Sequence, residues 1–504
     1  MKKAWHSLFE GFETPVILYF VGMLLLGLGN NFTSTNSIIT TILKAFTFTG
    51  GLIKTFFPLY MIINVVGKRH EDSVPEIGGV VGYLIFIITT MFIANQNFPE
   101  YCYLQISLPL MDMGITALPL RTGFIGAFLV IVITIGIYKI SRQRLNYGLL
   151  TFINNDAWFI IMNSLLCFLA GVLVCLAYPY AVNILSRAMR FVSNNAANPA
   201  SMFLYGVMER VMEVCGLQDL LHYNFWFGSY GGIWQDGAVT YAGDVAIWSA
   251  QYAQNALRLG TGRYITPYYI INFFVVPAVA IAIYCQFTNK VERRRYAGLI
   301  VLAIIVSILA GSLAPLEMLM LVISPMMLIL LILVTSSINA VMQMVEIYLG
   351  YTYSGGLAFA TPGNLLSFLT ISTRISNNVM RKIIMIGLIY AAIGFVAVFL
   401  YYNVLAEDFL DGKSRRLKIK QFISALGGIS NIRIVDGSPF SLSVALYDNA
   451  KVNENALLDL GAYRVRELYF CYYVDYGPGS LAICRGIRKE LKDYQHCLKY
   501  IENK

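Results

Sequence analysis

The chain is a succession of long apolar blocks with at most one charge each, separated by more polar stretches, until about residue 404, where the pattern changes. A membrane-crossing helix needs about 20 mostly apolar residues. Against that length the first block is 15–29, extensible back through Phe12, followed by 50–66, 77–94 and 123–140. Residues 158–185 are long enough to cross with tilt. Further spans are expected at 268–285, 296–309, 316–333 and 383–402. Residues 235–263 are too polar to span, and two intervals fit no clean span. Residues 209–234 (ERVMEVCGLQDLLHYNFWFGSYGGIW) set Glu209, Arg210, Glu213, Gln218, Asp219 and His222 among aromatics and end at Gly231 and Gly232. Residues 334–372 contain GYTYSGGLAFATPGNLLSF, apolar but broken by glycine and proline. Broken backbone is tolerated in a membrane only where it lines a cavity or is covered by protein, and paired broken segments commonly build transporter sites. The expected fold is a polytopic α-helical membrane protein of about ten spans with re-entrant or broken hairpins.

Beyond that, AEDFLDGKSRRLKIK is charged, so residues 405–416 are read as a linker from a membrane domain (1–404) to a small cytoplasmic α+β domain (417–504). A helix is expected over 417–426, stopped by Gly427 and Gly428. The runs IRIV and FSLSVALYD predict paired strands, 453–460 a helix, 467–474 a third strand and 481–501 a closing helix. No tandem repeat is present.

Composition agrees: 57% of residues are hydrophobic and 13% are Asp, Glu, Lys or Arg, about half the charge of a soluble protein. The formal net charge of +9 does not point to nucleic acid, because no basic stripe is interleaved with aromatics. Membrane proteins keep Lys and Arg in cytoplasmic loops. Lys68, Arg69, His70 and the SRQR of 141–144 fall on one side and the nearly base-free 95–119 on the other, which places the N-terminus inside; an even number of spans returns the C-terminus there. The opening MKKAWHSLFEGFETPVILYF reads as a cytoplasmic amphipathic lead-in, since it lacks a small-residue cleavage site. Localisation is therefore expected at a cytoplasmic (inner) membrane. The eight cysteines make no CxxC pair and the four histidines do not flank them, so free thiols, no metal site and no cofactor are expected.

Ionisable groups at membrane depth mark a solute site by default, which makes 209–234 the candidate; an amphipathic helix in a loop is the bland alternative. Tyr223, Phe225, Trp226, Phe227 and Tyr230 fit either stacking on a solute or an interfacial aromatic belt. His222, about one helical turn from Gln218, can face the same way.

Within this interval ERVMEVCGLQD resembles the RxLxPxGLHH signature of the glucose-family (maltose-type) enzyme IIC of the bacterial phosphoenolpyruvate sugar phosphotransferase system. GSLAPLEMLMLVISP, residues 311–325, resembles that family's GxTEPxEFxFLFxxP, and ISALGGISNIRIVDGSPFSLSVAL its enzyme IIB pattern ALGGxxNIxxLDxCxTRLRVxV. The resemblance implies a homodimeric sugar transporter working with other phosphotransferase proteins, whose IIB domain carries a phosphocysteine that phosphorylates the sugar. Arg210, Gly216, Pro315 and Glu317 match. The two histidines are replaced by Gln218 and Asp219, the first glutamate of TEPxE by Ala314, and the phosphocysteine by Ser438, with Phe440, Ser441, Leu442 and Ser443 in place of TRLR. A serine hydroxyl is a poor nucleophile without an adjacent base. Loss of the guanidinium groups removes what would hold phosphate, and Cys471 and Cys484 fall outside the phosphate loop. The substrate-binding set expected from the resemblance is Arg210, Gln218, Asp219, His222 and Glu317, with Arg210 the natural partner of Glu317. Three readings follow: a degenerate member that binds, facilitates or senses a solute without phosphorylating it through its own IIB domain; an active phosphotransferase borrowing a IIB domain in trans; and a structural subunit pairing with an active paralogue. The alanine at 314 favours the first, since a borrowed IIB domain does not restore that carboxylate.

Overall fold

A computed structural model describes residues 12–32, 35–68, 73–97, 120–141, 154–351, 361–405, 412–468 and 471–502. Residues 1–11 of the amphipathic lead-in, Arg69 and His70, most of 95–119, residues 142–144, the core of the glycine-broken stretch (352–360) and the middle of the linker (406–411) lie outside them. The chain begins with α1 (Glu13–Asn31), α2 (Ser37–Gly67), α3 (Val74–Asn97), α4 (Gly123–Ser141) and α5 (Asn155–Asn194). It then breaks up into α6 (Pro199–Val214), the short α7 (Gln218–His222), the hairpin β1 (Ile233–Asp236) and β2 (Val239–Ala242), and α8 (Asp244–Ala253). Next come α9 (Thr266–Cys285), α10 (Lys290–Ile305), α11 (Ala314–Ile323), α12 (Pro325–Val345), α13 (Leu365–Ser372) and α14 (Asn377–Leu400). Eight helices among the described residues are long and apolar enough to cross a membrane: α1 to α5, α9, α12 and α14.

Helices start before their apolar blocks where a cap allows it. Asn36 accepts the Ile38 amide at the head of α2, and Asn154 the Ala157 amide at the head of α5, satisfying donors that the first turn leaves open. With 40 residues, α5 is about 60 Å long and projects well past a hydrocarbon layer of about 30 Å. Residues 316–333, expected as one span, are two helices. Pro325 has no amide and restricts the residue before it, so Ser324 is extended (φ −162°, ψ 105°) and the chain turns there. Residues 296–309 belong to α10, which starts at Lys290 and widens at Val306–Ala310 into a π turn stopped by Gly311 in the left-handed region (φ 68°).

Two hairpins result. Thr288, after α9, bonds to Gly437 of the C-terminal region; Ser324, after α11, bonds to Tyr401, whose neighbour Tyr402 accepts from Arg485 (2.9 Å). The bases of α10 and α11 therefore sit at the end of the bundle nearest the C-terminal region, and Gly311 is the hairpin tip. From the far end, the segment after α12 passes Thr266, which accepts the Leu349 amide (2.7 Å), and returns at Thr361–Asn364 to meet that tip. The two tips and α1 are tied by Asn31, which accepts from Asn364 (3.0 Å) and donates to the Leu309 carbonyl (3.4 Å). At Gly27 a Cβ would lie 2.2 Å from that of Ala310, so α1 and the tip share a contact only glycine permits.

The C-terminal region holds α15 (Gly412–Ala425), β3 (Ile432–Gly437), β4 (Ser441–Leu446), α16 (Glu454–Asp459), β5 (Arg464–Leu468), β6 (Cys471–Asp475) and α17 (Ser480–Glu502). Its antiparallel sheet has the order β3-β4-β6-β5. Phe422, Leu442, Val444, Leu457, Val474 and Ile487 form a core of its own. The single strand expected over 467–474 is instead parts of β5 and β6, reversed where Leu468 pairs with Cys471. Tyr469 and Phe470 between them carry no turn signal.

Candidate functional site

Asn198 caps α6 through the Ala200 amide, and Pro199 opens its first turn. The helix then places Glu209, Arg210 and Glu213 in the protein interior, with relative exposures of 1%, 1% and 8%. Arg210 bonds Glu209 (Nη2 to Oε2, 3.0 Å) and, more tightly, Glu213. Glu317, 0% exposed in the first turn of α11, lies 3.7 Å from the same guanidinium, beyond hydrogen-bond distance. The expected Arg210–Glu317 partnership exists, but as the longest arm of a cluster with three carboxylates round one cation. Hydroxyls offset part of that excess: Tyr268 donates to Glu209 at 2.7 Å and Tyr205 at 3.1 Å. His222 Nε2 is 3.3 Å from Glu209 and 3.2 Å from the Tyr268 hydroxyl, its ring stacked on Trp226 at 3.6 Å.

A second charged group adjoins the first. Asp219 meets Arg121 at 2.8 Å and Lys54, on α2, at 3.7 Å. Gln218, Asp219, His222 and Ala314 line a common cavity with Lys54, Glu213, Trp226 and Tyr268. It has about 40 Å³ of water-accessible space, enough for roughly three waters. Arg210 and Glu317 are not in its wall and sit one layer behind. Ala314 presents a methyl where the related signature has a carboxylate. The Gln218 Oε1 is buried and has no hydrogen-bond partner among the described residues. Carboxylate, imidazole, phenol and amide round one small cavity match the donors and acceptors of a hydroxyl-rich solute. Of four π turns among the described residues, one follows α14 at Tyr401–Leu405 and the other three lie at Tyr223–Phe227, Ile271–Val275 and Val306–Ala310, a distortion frequent at functional sites.

Lys54, Arg121 and Tyr268 escape the sequence reading. Lys54, the one charge inside the apolar block 50–66, was the available signal, because a charge at that depth implies a partner. Nothing local ties Arg121 to Asp219, or Tyr268 to Glu209; both pairings are made by the tertiary fold.

In the C-terminal region Ser438 is 0% exposed. Its hydroxyl accepts the Ser441 amide (3.0 Å) and donates to the Ser441 carbonyl (3.2 Å), closing the turn between β3 and β4 on itself. That turn is docked on the α9–α10 junction. Thr288 donates to the Gly437 carbonyl (2.7 Å) and accepts its amide (2.9 Å), Asn289 donates to Ser443 (2.7 Å), and Ser441 donates to Glu292 (2.7 Å). The Phe440 ring lies against Tyr296 (5.0 Å) and Phe287 (5.9 Å). Cys484 packs beneath β3, and burial pushes its thiol up to about 11, so it carries almost no thiolate near neutral pH.

Apolar crossing helices, hairpins whose tips meet inside the bundle and a polar cavity beside them define a multi-pass membrane protein of the solute-transporter class. The profile of the phosphotransferase system EIIC family matches residues 9–336. The chain belongs to that family. It is 25% identical over 444 residues to the PTS system glucoside-specific EIICBA component of Staphylococcus carnosus (strain TM300), covering 84% of this chain and 62% of that protein. It is also 25% identical over 490 residues to the glucose-specific EIICBA component of the same strain, covering 92% of this chain and 70% of that protein.

Proposed function

We propose that this chain is a sugar-binding permease-type protein whose own C-terminal region, a IIB-like domain, does not pass phosphate to the sugar. The observation that carries this reading is the state of Ser438, the residue at the phosphocysteine position. It is fully buried, its hydroxyl is bonded within its own turn, and the turn is seated on Thr288, Glu292 and Tyr296. A phosphoacceptor must meet a donor protein and then the sugar, and it needs a base or a cationic cradle. Ser438 has no open face, and among the described residues no base touches its hydroxyl: the Glu292 carboxylate is separated from it by the Ser441 hydroxyl (3.2 Å from Ser438). Sugar binding is supported by the cavity wall of Gln218, Asp219, His222 and Tyr268 and by the glucose and glucoside named for the two relatives. A hexose is larger than the cavity as it stands, so binding requires the hairpin tips to open.

The experiment is phosphate transfer from labelled phosphoenolpyruvate through purified general phosphotransferase components onto the full-length protein, its Ser438→Ala and its Ser438→Cys forms. No label is expected on the first two. Label on the wild type that Ser438→Ala abolishes overturns the non-phosphorylating reading. In parallel, Trp226 fluorescence is titrated with glucose and glucosides. A saturable change that His222→Ala weakens is expected, and no response to either sugar removes the sugar assignment. Sugar phosphate formed only when another protein's IIB domain is added establishes the trans reading instead.

A further inference from the structure

A second cavity lies at the far end of the bundle, away from the one that holds Gln218 and His222. Its volume is about 330 Å³, within the range of small-molecule sites, about 300–1,000 Å³. Tyr230, Trp234, Asp244, Gln251, Arg258 and Arg263 wall it. Its acceptors are already used. The two oxygens of Asp244 take the amides of Gly262 (2.7 Å) and Tyr264 (3.2 Å). Gln251 Oε1 takes the Arg258 amide (3.1 Å) and the Thr261 hydroxyl (3.0 Å).

Most of the guanidinium donors are not used. Arg263 donates from Nε to the Gly260 carbonyl (2.6 Å), with its guanidinium over the Tyr348 ring (5.8 Å) and its charge facing Asp244, and its two terminal nitrogens donate to no group among the described residues. The Trp234 Nε1 is buried without a partner among the described residues, and there the Arg258 guanidinium meets only the face of Trp234, at 5.9 Å. A lining of two cations and spare N–H groups, with its one carboxylate buried and bonded, selects an anion rich in acceptors. Arginine forks are built for phosphate oxygens.

The rim carries the second half of the recognition. Ile233 and Leu259 line the cavity and yet are 63% and 83% exposed. The location suits them. From Thr266, just past this cavity, α9 runs 20 residues to the end that meets the C-terminal region, about 30 Å. The cavity therefore sits one hydrocarbon thickness away, at the opposite membrane boundary, where lipid headgroups lie. We propose that it holds the phosphate of an anionic phospholipid between Arg258 and Arg263, with the acyl chains lying over Ile233 and Leu259.

The test is native mass spectrometry of the full-length protein in detergent, titrated separately with phosphatidylglycerol, phosphatidylcholine and inorganic phosphate. Phosphatidylglycerol is expected to be retained most strongly, and about tenfold or more weaker in Arg258→Gln/Arg263→Gln. Arg433→Gln, on an exposed face of β3, is expected to match the wild type. Leu259→Gln changes a side chain too exposed to affect folding; it should weaken phosphatidylglycerol while leaving inorganic phosphate unchanged. Equal retention of phosphatidylglycerol by the double glutamine variant overturns the proposal. So does binding of inorganic phosphate alone, which identifies a free anion as the occupant.

Discussion

Arg210→Met removes the one guanidinium that faces Glu209, Glu213 and Glu317. Glu209 keeps its bonds from Tyr205 and Tyr268, so the uncompensated charge falls mainly on Glu213 and Glu317. Deleting one partner of a buried pair costs about 3–5 kcal/mol, and methionine retains most of the packing volume. The expected loss is therefore about 4 kcal/mol, a large share of the roughly 5–15 kcal/mol that holds a typical protein folded. Adding Glu317→Gln to Arg210→Met removes one of the stranded carboxylates, and should return about 1–2 kcal/mol. Alone, Glu317→Gln should cost less than Glu213→Gln, because its guanidinium is 3.7 Å away while that of Glu213 is in direct contact. The assay is denaturant unfolding of the purified protein in mixed micelles, followed by tryptophan emission. Wild-type stability in Arg210→Met, or no recovery in the double variant, refutes the cluster as an electrostatic unit.

Gly27→Val drives a branched side chain into Ala310, where even a Cβ would approach within 2.2 Å; a loss of about 1–3 kcal/mol is expected, and an unchanged melting temperature contradicts the contact. Phe440→Ala removes the ring that packs on Tyr296 and Phe287, worth about 0.5–1.5 kcal/mol beyond area. Amide exchange over 432–446 should then quicken while the crossing helices keep their protection, and unaltered exchange counts against the docking. Burial pushes the Asp244 carboxyl up to about 6, above an unfolded value of about 3.9. Its contribution to stability is complete below the unfolded value and lost as pH rises through about 6. Between about pH 7 and about pH 5 the wild type should therefore gain about 1 kcal/mol over Asp244→Asn; parallel stability curves reject this.

How much of this was legible depended on whether a feature lay in one stretch of chain. The block 123–140 became α4 almost residue for residue, because its one charge, Lys139, falls in the last turn and the backbone must satisfy itself within the apolar run. Residues 316–333 are just as apolar, yet hydropathy carries no direction, and a reversal at Ser324–Pro325 leaves the apolar run unbroken. Its signal was the proline, which ends a helix at the residue before it. The β5–β6 reversal had no such mark, since Leu468 and Cys471 flank two aromatics that propensity assigns to a strand.

The site divides in the same way. Arg210 and Glu317 were paired from the resemblance, together with the cost of leaving a charge unpaired at membrane depth. Asp219 was expected in the substrate-binding set, and its surroundings alter that role. Arg121 and Lys54 sit on its two oxygens, so a hydroxyl reaching it competes with two cations, one just before α4 and one on α2. Gln218 is in the opposite position, lining the same cavity with an amide oxygen that is buried and unmatched. An unmatched buried acceptor costs about 1–3 kcal/mol, which a solute hydroxyl bonding there would recover. Of the two residues that replace the histidines, Gln218 is thus the one with free energy left to gain from a ligand, while Asp219 has already given its charge to the scaffold that holds the cavity together.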